Sequence, residues 1–181
     1  AGIGAQIVIG QPAVSLVLAM LAASVVSVLF AVMVIWLRVN QVIAGLALVF
    51  FCQGLTALVG SMAEWTNHAT EGIGTMGLWP LSLLPVVGRL FEQNAMVWLT
   101  LPIFGAVAWF FARTSAGLRL RAVGENPQAA DAAGIRVTAW RFAAVLAGSA
   151  LVGLAGAYIS VVGTKLWVAG MTGRRGWIAV A

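Results

Sequence analysis

Four long stretches of this sequence contain no charged residue: Val14–Leu37, Val42–Gly60, Ala95–Ala112 and Phe142–Gly163. A helix crosses a bilayer with about 20 predominantly apolar residues, the range being roughly 17 to 25. Each stretch has that length, and each is predicted to span. Their polar residues are few: Ser15, Ser24 and Ser27 in the first, Gln53 and Thr56 in the second, Thr100 in the third, and Ser149, Tyr158 and Ser160 in the fourth. Serine and threonine can bond back to their own helix, so they cost little there. Gln53 costs more and should face protein or a polar path. Pro102 interrupts the third stretch.

Composition agrees. Of 181 residues, 62% are hydrophobic and 8% charged, too little polar surface for a water-soluble domain of this size. The predicted class is an all-α integral membrane protein, a polytopic helix bundle. Ala1 is not methionine, and Trp177–Ala181 opens a further apolar run. The expected chain is therefore a fragment with about four full spans and truncated ends, residues 1–181 forming part of a single transmembrane domain. Ala1–Pro12 lacks the charged start of a signal peptide.

The links set the topology. Arg38-Val39-Asn40-Gln41 makes a tight turn between the first two spans. The link 113–141 carries Arg113, Arg119, Arg121, Arg136 and Arg141 against Glu125 and Asp131. The link 61–94 has the opposite balance, with Glu64, Glu71 and Glu92 against Arg89. Basic residues near span ends mark the cytoplasmic side. Arg38 and 113–141 are thus expected inside and 61–94 outside. By parity Lys165, Arg174 and Arg175 fall outside, against the rule, unless that segment dips back into the membrane. Within 61–94, Leu81–Phe91 is apolar but too short to span; it reads as an interfacial or re-entrant helix, or as an ordinary loop. The net charge of +5 belongs to this topology and calls for no nucleic acid.

Site chemistry is sparse. Cys52, the single cysteine, and His68, the single histidine, read as packing and as a solvated loop residue. There is no metal-ligand spacing, no phosphate-loop motif and no charged residue within a span. Gly173–Gly176 ("GRRG") is too weak a phosphate signal to use. This points to a polar, uncharged path driven from outside the chain. Asn40, Gln53 and Thr56 are the candidate path residues; each could equally satisfy a helix neighbour. Ser149, Gly153 and Ala157 recur every four residues, a spacing that lets helices approach closely.

One polar segment is unusually well punctuated. In "VGENPQAADAAGI" (Val123–Ile135), Asn126 suits an N-cap, Pro127 the first helical position and Gly134 a left-handed C′ residue. Glu125 and Arg136 complement the helix dipole. A two-turn helix is predicted, too short to persist unless docked. It could fit a groove on another protein or lie on the membrane as a connector.

The stretch "GLRLRAVGENPQAADAAGI" (Gly117–Ile135) closely resembles the cytoplasmic coupling loop of bacterial ABC import permeases, in the branch for sugars, branched-chain amino acids and nucleosides. "LRVNQVIAGLALVFF" (Leu37–Phe51), "AGSALVGLAGAYIS" (Ala147–Ser160) and "GMTGRRGWIAVA" (Gly170–Ala181) are similar to other segments of these permeases; Ser61–Gln93 is not. The sequence is most like the nucleoside (guanosine-type) permeases, with simple-sugar permeases next. The resemblance implies a non-enzymatic, multi-pass subunit of the bacterial inner membrane. It would pair with a second permease subunit and with ABC ATPase subunits, which would hold the ATP and magnesium. Its cargo would come from an external binding protein or lipoprotein; membrane lipid is the remaining partner. By position, Glu125, Asn126, Pro127, Ala130, Asp131 and Gly134 would dock on the ATPase, making 113–141 the coupling loop. An ATP-independent channel or secondary carrier with a regulatory cytoplasmic loop is the alternative, and a structural scaffold a third.

Overall fold

The computed structural model describes residues 2–63, 75–77 and 92–160. Helices dominate, and the chain is an all-α polytopic membrane protein whose only strands among the described residues form one small ribbon. Helix α1 is Gly2–Ile9, α2 Pro12–Ala31 and α3 Gln41–Met62. Strands β1 (Thr75–Gly77) and β2 (Glu92–Asn94) follow, then α4 (Ala95–Arg113), α5 (Ser115–Glu125), α6 (Pro127–Ala132) and α7 (Val137–Ala157). Residues 13–36, 41–62 and 137–160 are each long and apolar enough to cross a membrane. The fourth predicted span, α4, continues through a 76° bend into α5. Two compact units divide the chain: residues 1–72 with 142–181, and residues 73–141.

In the first unit, α1 folds back against α2. Gly10 allows the turn with φ +71, and Pro12 opens α2 where a missing N–H costs nothing. Ser15 is fully buried, its hydroxyl 2.8 Å from Gln6 Oε1 and 3.0 Å from the Gln11 carbonyl. Ser24 and Ser27 donate back along α2 to Met20 O (2.9 Å) and Ser24 O (2.8 Å), which satisfies both hydroxyls. The last turn of α2 widens into a π-helical segment, Val32–Trp36. Arg38 then takes φ +52, and Asn40 caps α3 by accepting from Val42 N at 2.9 Å. The four-residue turn expected here is thus built from one left-handed residue and one cap.

Helix α7 meets α2 at small residues. A Cβ built on Gly153 would lie 2.6 Å from Ala23 Cβ and 2.7 Å from the Ala19 carbonyl oxygen. Only glycine permits that approach. Two turns earlier on α7, the Leu146 carbonyl lies 3.5 Å from Ser24 Oγ. Ala157 is buried and Ser149 half-buried. Both α2 and α7 end in π-type turns, Val32–Trp36 and residues 158–160.

In the second unit, β1 and β2 pair antiparallel, Thr75 opposite Asn94 and Gly77 opposite Glu92, which sets residues 75–77 beside the start of α4. No strand is expected there from the sequence, whose residues carry no alternating pattern long enough to signal one. Leu81–Phe91, His68, Lys165, Arg174, Arg175 and Gly173–Gly176 lie outside the described residues.

Candidate functional site

The second unit holds the polar segment, and its geometry begins at the end of α4. Phe110 and Phe111 stack edge to face there, ring centroids 5.5 Å apart. Thr114, the single residue between the helices, fastens both. Its hydroxyl donates to the Phe110 carbonyl at 2.6 Å and accepts from Gly117 N at 3.0 Å, capping α5. Gly117 passes so close to the last turn of α4 that an added Cβ would collide with the Phe110 carbonyl and sit 2.8 Å from Phe111 Cα. The 76° bend therefore depends on a hydroxyl at 114 and on no side chain at 117.

Helix α5 is a departure from the sequence expectation, which leaves 114–125 as link. Gly117, Gly124 and the alternating arginines obscure the pattern. Steps of four and three residues still show it: Leu120 and Val123 share a side with Ala116, and Val123 is 3% exposed. The opposite side carries Leu118, 68% exposed, with Arg119 and Arg121 exposed beside it.

Asn126 separates α5 from α6 and works for both. Its backbone N donates to the Ala122 carbonyl (3.0 Å), closing α5. Its side-chain oxygen accepts from Ala129 N (3.0 Å), opening α6. Pro127 occupies the first position of α6. At the far end Gly134 has φ +80, its N–H donating to the Asp131 carbonyl (2.9 Å) while Ile135 N donates to the Ala130 carbonyl (3.0 Å). These two bonds form a Schellman cap. A two-turn helix has few internal bonds, so caps at both ends account for much of its order.

The candidate docking residues separate by exposure. Glu125, Asn126, Asp131 and Gly134 are exposed and Pro127 half-buried. Ala130 is 4% exposed. It is turned into the chain, because α6 packs against α5 and one side of so short a helix must be covered. Ala130 therefore anchors α6 and is not offered to a partner in this conformation. Ala129 and Ala132, which the sequence argument passed over, are exposed with Asp131. Alanine carries no periodic signal, so only the coordinates separate these positions.

The candidate path residues are not brought together with that segment in one unit. Gln53 and Thr56 lie three residues apart in a part of α3 that is exposed all round, and Asn40 uses its carboxamide oxygen as a cap. Cys52 is a free, half-buried thiol on the same helix. No group of three metal-ligating side chains occurs among the described residues.

Comparison with known proteins covers nearly the whole chain. The family model described as "Branched-chain amino acid transport system / permease component" matches residues 1–180. A Haloferax volcanii protein named for a glucose ABC transporter permease, TsgC13, is 40% identical over 80% of this chain and 45% of its own length. The Lactococcus lactis nucleoside ABC transporter permease NupC is 33% identical over 94% of the chain and 55% of its own length. The Bacillus subtilis guanosine ABC transporter permease NupQ is 30% identical over 98% of the chain and 57% of its own length. The chain thus spans about half the length of these curated relatives. No solved structure matches it.

Proposed function

Because the chain belongs to the branched-chain amino acid transport system / permease component family, as an ABC permease of the nucleoside and sugar branch, we propose that it is part of the membrane path of an ATP-driven importer for nucleosides or related small polar solutes. It is a multi-pass protein of the inner membrane. In this reading ATP and magnesium bind to separate ATPase subunits, and cargo arrives from an external binding protein to a pair of permease subunits. Residues 113–141 are the cytoplasmic coupling loop, and 61–94 face outside.

The observation that carries the coupling role is the doubly capped α6, mounted on the stitched bend between α4 and α5. A docking lever must hold its shape under load, and each joint from Phe110 to Ile135 is hydrogen-bonded at its backbone. Glu125, Asn126, Pro127, Asp131 and Gly134 then meet the ATPase together with Ala129 and Ala132, while Ala130 keeps the helix seated. Closure of the ATPase pair displaces α6, and α4 and α7, which flank the loop in sequence, carry the movement into the membrane. Both sites bias one two-state element, which is what coupling requires.

Co-purification of the full-length permease with its ATPase tests this. Ala129→Trp enlarges the exposed side of α6 without entering the buried side. The expected result is loss of ATPase retention and of transport, with the permease still folded in the membrane. Full ATPase retention and full transport in that variant would remove α6 from the docking surface. Solute flux through the wild-type permease in proteoliposomes lacking any ATPase would instead establish a channel or secondary carrier.

A further inference from the structure

We propose that α5 is an interfacial helix that binds anionic phospholipid through Arg113, Arg119 and Arg121, with Leu118 set between the arginines at the headgroup boundary. The site goes beyond ATPase docking: it lies on α5, at the end nearer the span, and not on α6. It starts from the 76° turn. A span that follows the bilayer normal and then turns by that angle leaves the next helix lying close to the membrane plane. Only Thr114 intervenes between Arg113, the last residue of α4, and Ser115, the first of α5. The helix therefore begins where the span reaches the headgroups.

Its two sides then differ in kind. At about 100° per residue, Ala116, Leu120 and Val123 form one side, and Leu118 stands roughly opposite them. Arg119 and Arg121 fall on either side of Leu118. Burial follows this division: Val123 is 3% exposed and Leu118 68%, with both arginines exposed. A leucine held out between two arginines is unfavourable in bulk water. At a headgroup boundary the leucine enters the acyl region, while the long arginine stems lie along it and their guanidinium groups reach phosphate. Guanidinium matches phosphate oxygens in a two-pronged geometry that a zwitterionic headgroup, with its own ammonium or choline, partly cancels. Glu125 shares this side at its far end, where the chain turns at Asn126 toward α6. The resulting positive run lies near the span, and the one acid lies away from it.

The test uses the full-length permease in complex with its ATPase, in nanodiscs of phosphatidylcholine alone or of phosphatidylcholine with about one quarter phosphatidylglycerol. A nitroxide is attached at Leu118→Cys in a background carrying Cys52→Ser. The expected result is that phosphatidylglycerol lowers collision of the label with a water-soluble nickel chelate and raises collision with oxygen. Arg119→Gln with Arg121→Gln should lose most of that shift at the same phosphatidylglycerol fraction. Because the label replaces Leu118, phosphatidylglycerol retained by the unlabelled complex is also counted by native mass spectrometry; the double variant should retain less. Equal collision in both lipids together with equal retention in wild type and double variant overturns the proposal. So does a label shielded by adding the ATPase and indifferent to phosphatidylglycerol, which gives this side of α5 to the protein partner.

Discussion

Two turns in this chain each follow a long apolar helix, and they are made differently. Between α2 and α3 the chain reverses in a few residues, through a π-helical last turn, a left-handed Arg38 and the Asn40 cap. Between α4 and α7 it instead builds two further helices, with Thr114, Asn126 and Gly134 each placed at a joint. The first turn needs only to return the chain to the membrane. It tolerates a non-glycine residue at positive φ, which costs about 1–2 kcal/mol. The second avoids that cost by placing glycine at 134 and adds side-chain caps at both helix starts. A plain connection does not need this much local order, and the coupling role proposed for α6 would use it.

Five substitutions test that contrast. Gly117→Leu should have the largest effect, because its Cβ cannot coexist with the backbone of Phe110 and Phe111. Overpacking of this kind costs about 3 kcal/mol or more, read as a lower thermal midpoint and a lower yield of monodisperse permease. A leucine here that leaves the midpoint unchanged would mean the bend is not held by close approach. Next, Gly134→Val should cost about 1–2 kcal/mol, since a β-branched residue resists φ +80. Unchanged stability and ATPase retention would count against the left-handed cap. The reciprocal change, Arg38→Gly, should stabilise by about 1 kcal/mol and leave transport intact, as a hinge-free return turn allows. Reduced transport in that variant would break the contrast. The smallest pair is Asn40→Ala and Asn126→Ala, each losing about 1 kcal/mol of cap. Matched stability losses with reduced ATPase stimulation only at 126 would separate a structural cap from a coupling one.

Much of this was legible beforehand, for particular reasons. The spans announced themselves because a charge in hydrocarbon is costly, so charge-free runs of that length have few other uses. The α6 caps were legible because Asn, Pro and Gly owe their positions to backbone geometry that a local sequence displays. Helix α5 was not, because its identity rests on a tertiary fact, the contact of Gly117 with α4, and glycine in a polar stretch otherwise signals a loop. Which side of α6 Ala130 takes was not legible, because the four alanines of Gln128–Ala133 look alike until one is covered. The path residues stayed undecided for a related reason. Gln53 and Thr56 are exposed on α3, and the chain spans only about half the length of its relatives, so the sequence alone does not say what faces them.

Gly153 lies against Ala19 and Ala23 with no side chain between the backbones of α7 and α2. Interlocked leucines would act as teeth and admit only whole-notch movements. The contact of glycine on alanine instead acts as a keyed joint: it holds the two helices at close distance and leaves no room for a Cβ, so a turn of α7 that brought a neighbouring side chain to this point would be blocked. At this crossing the pair moves as one piece, and separation has to come before rotation.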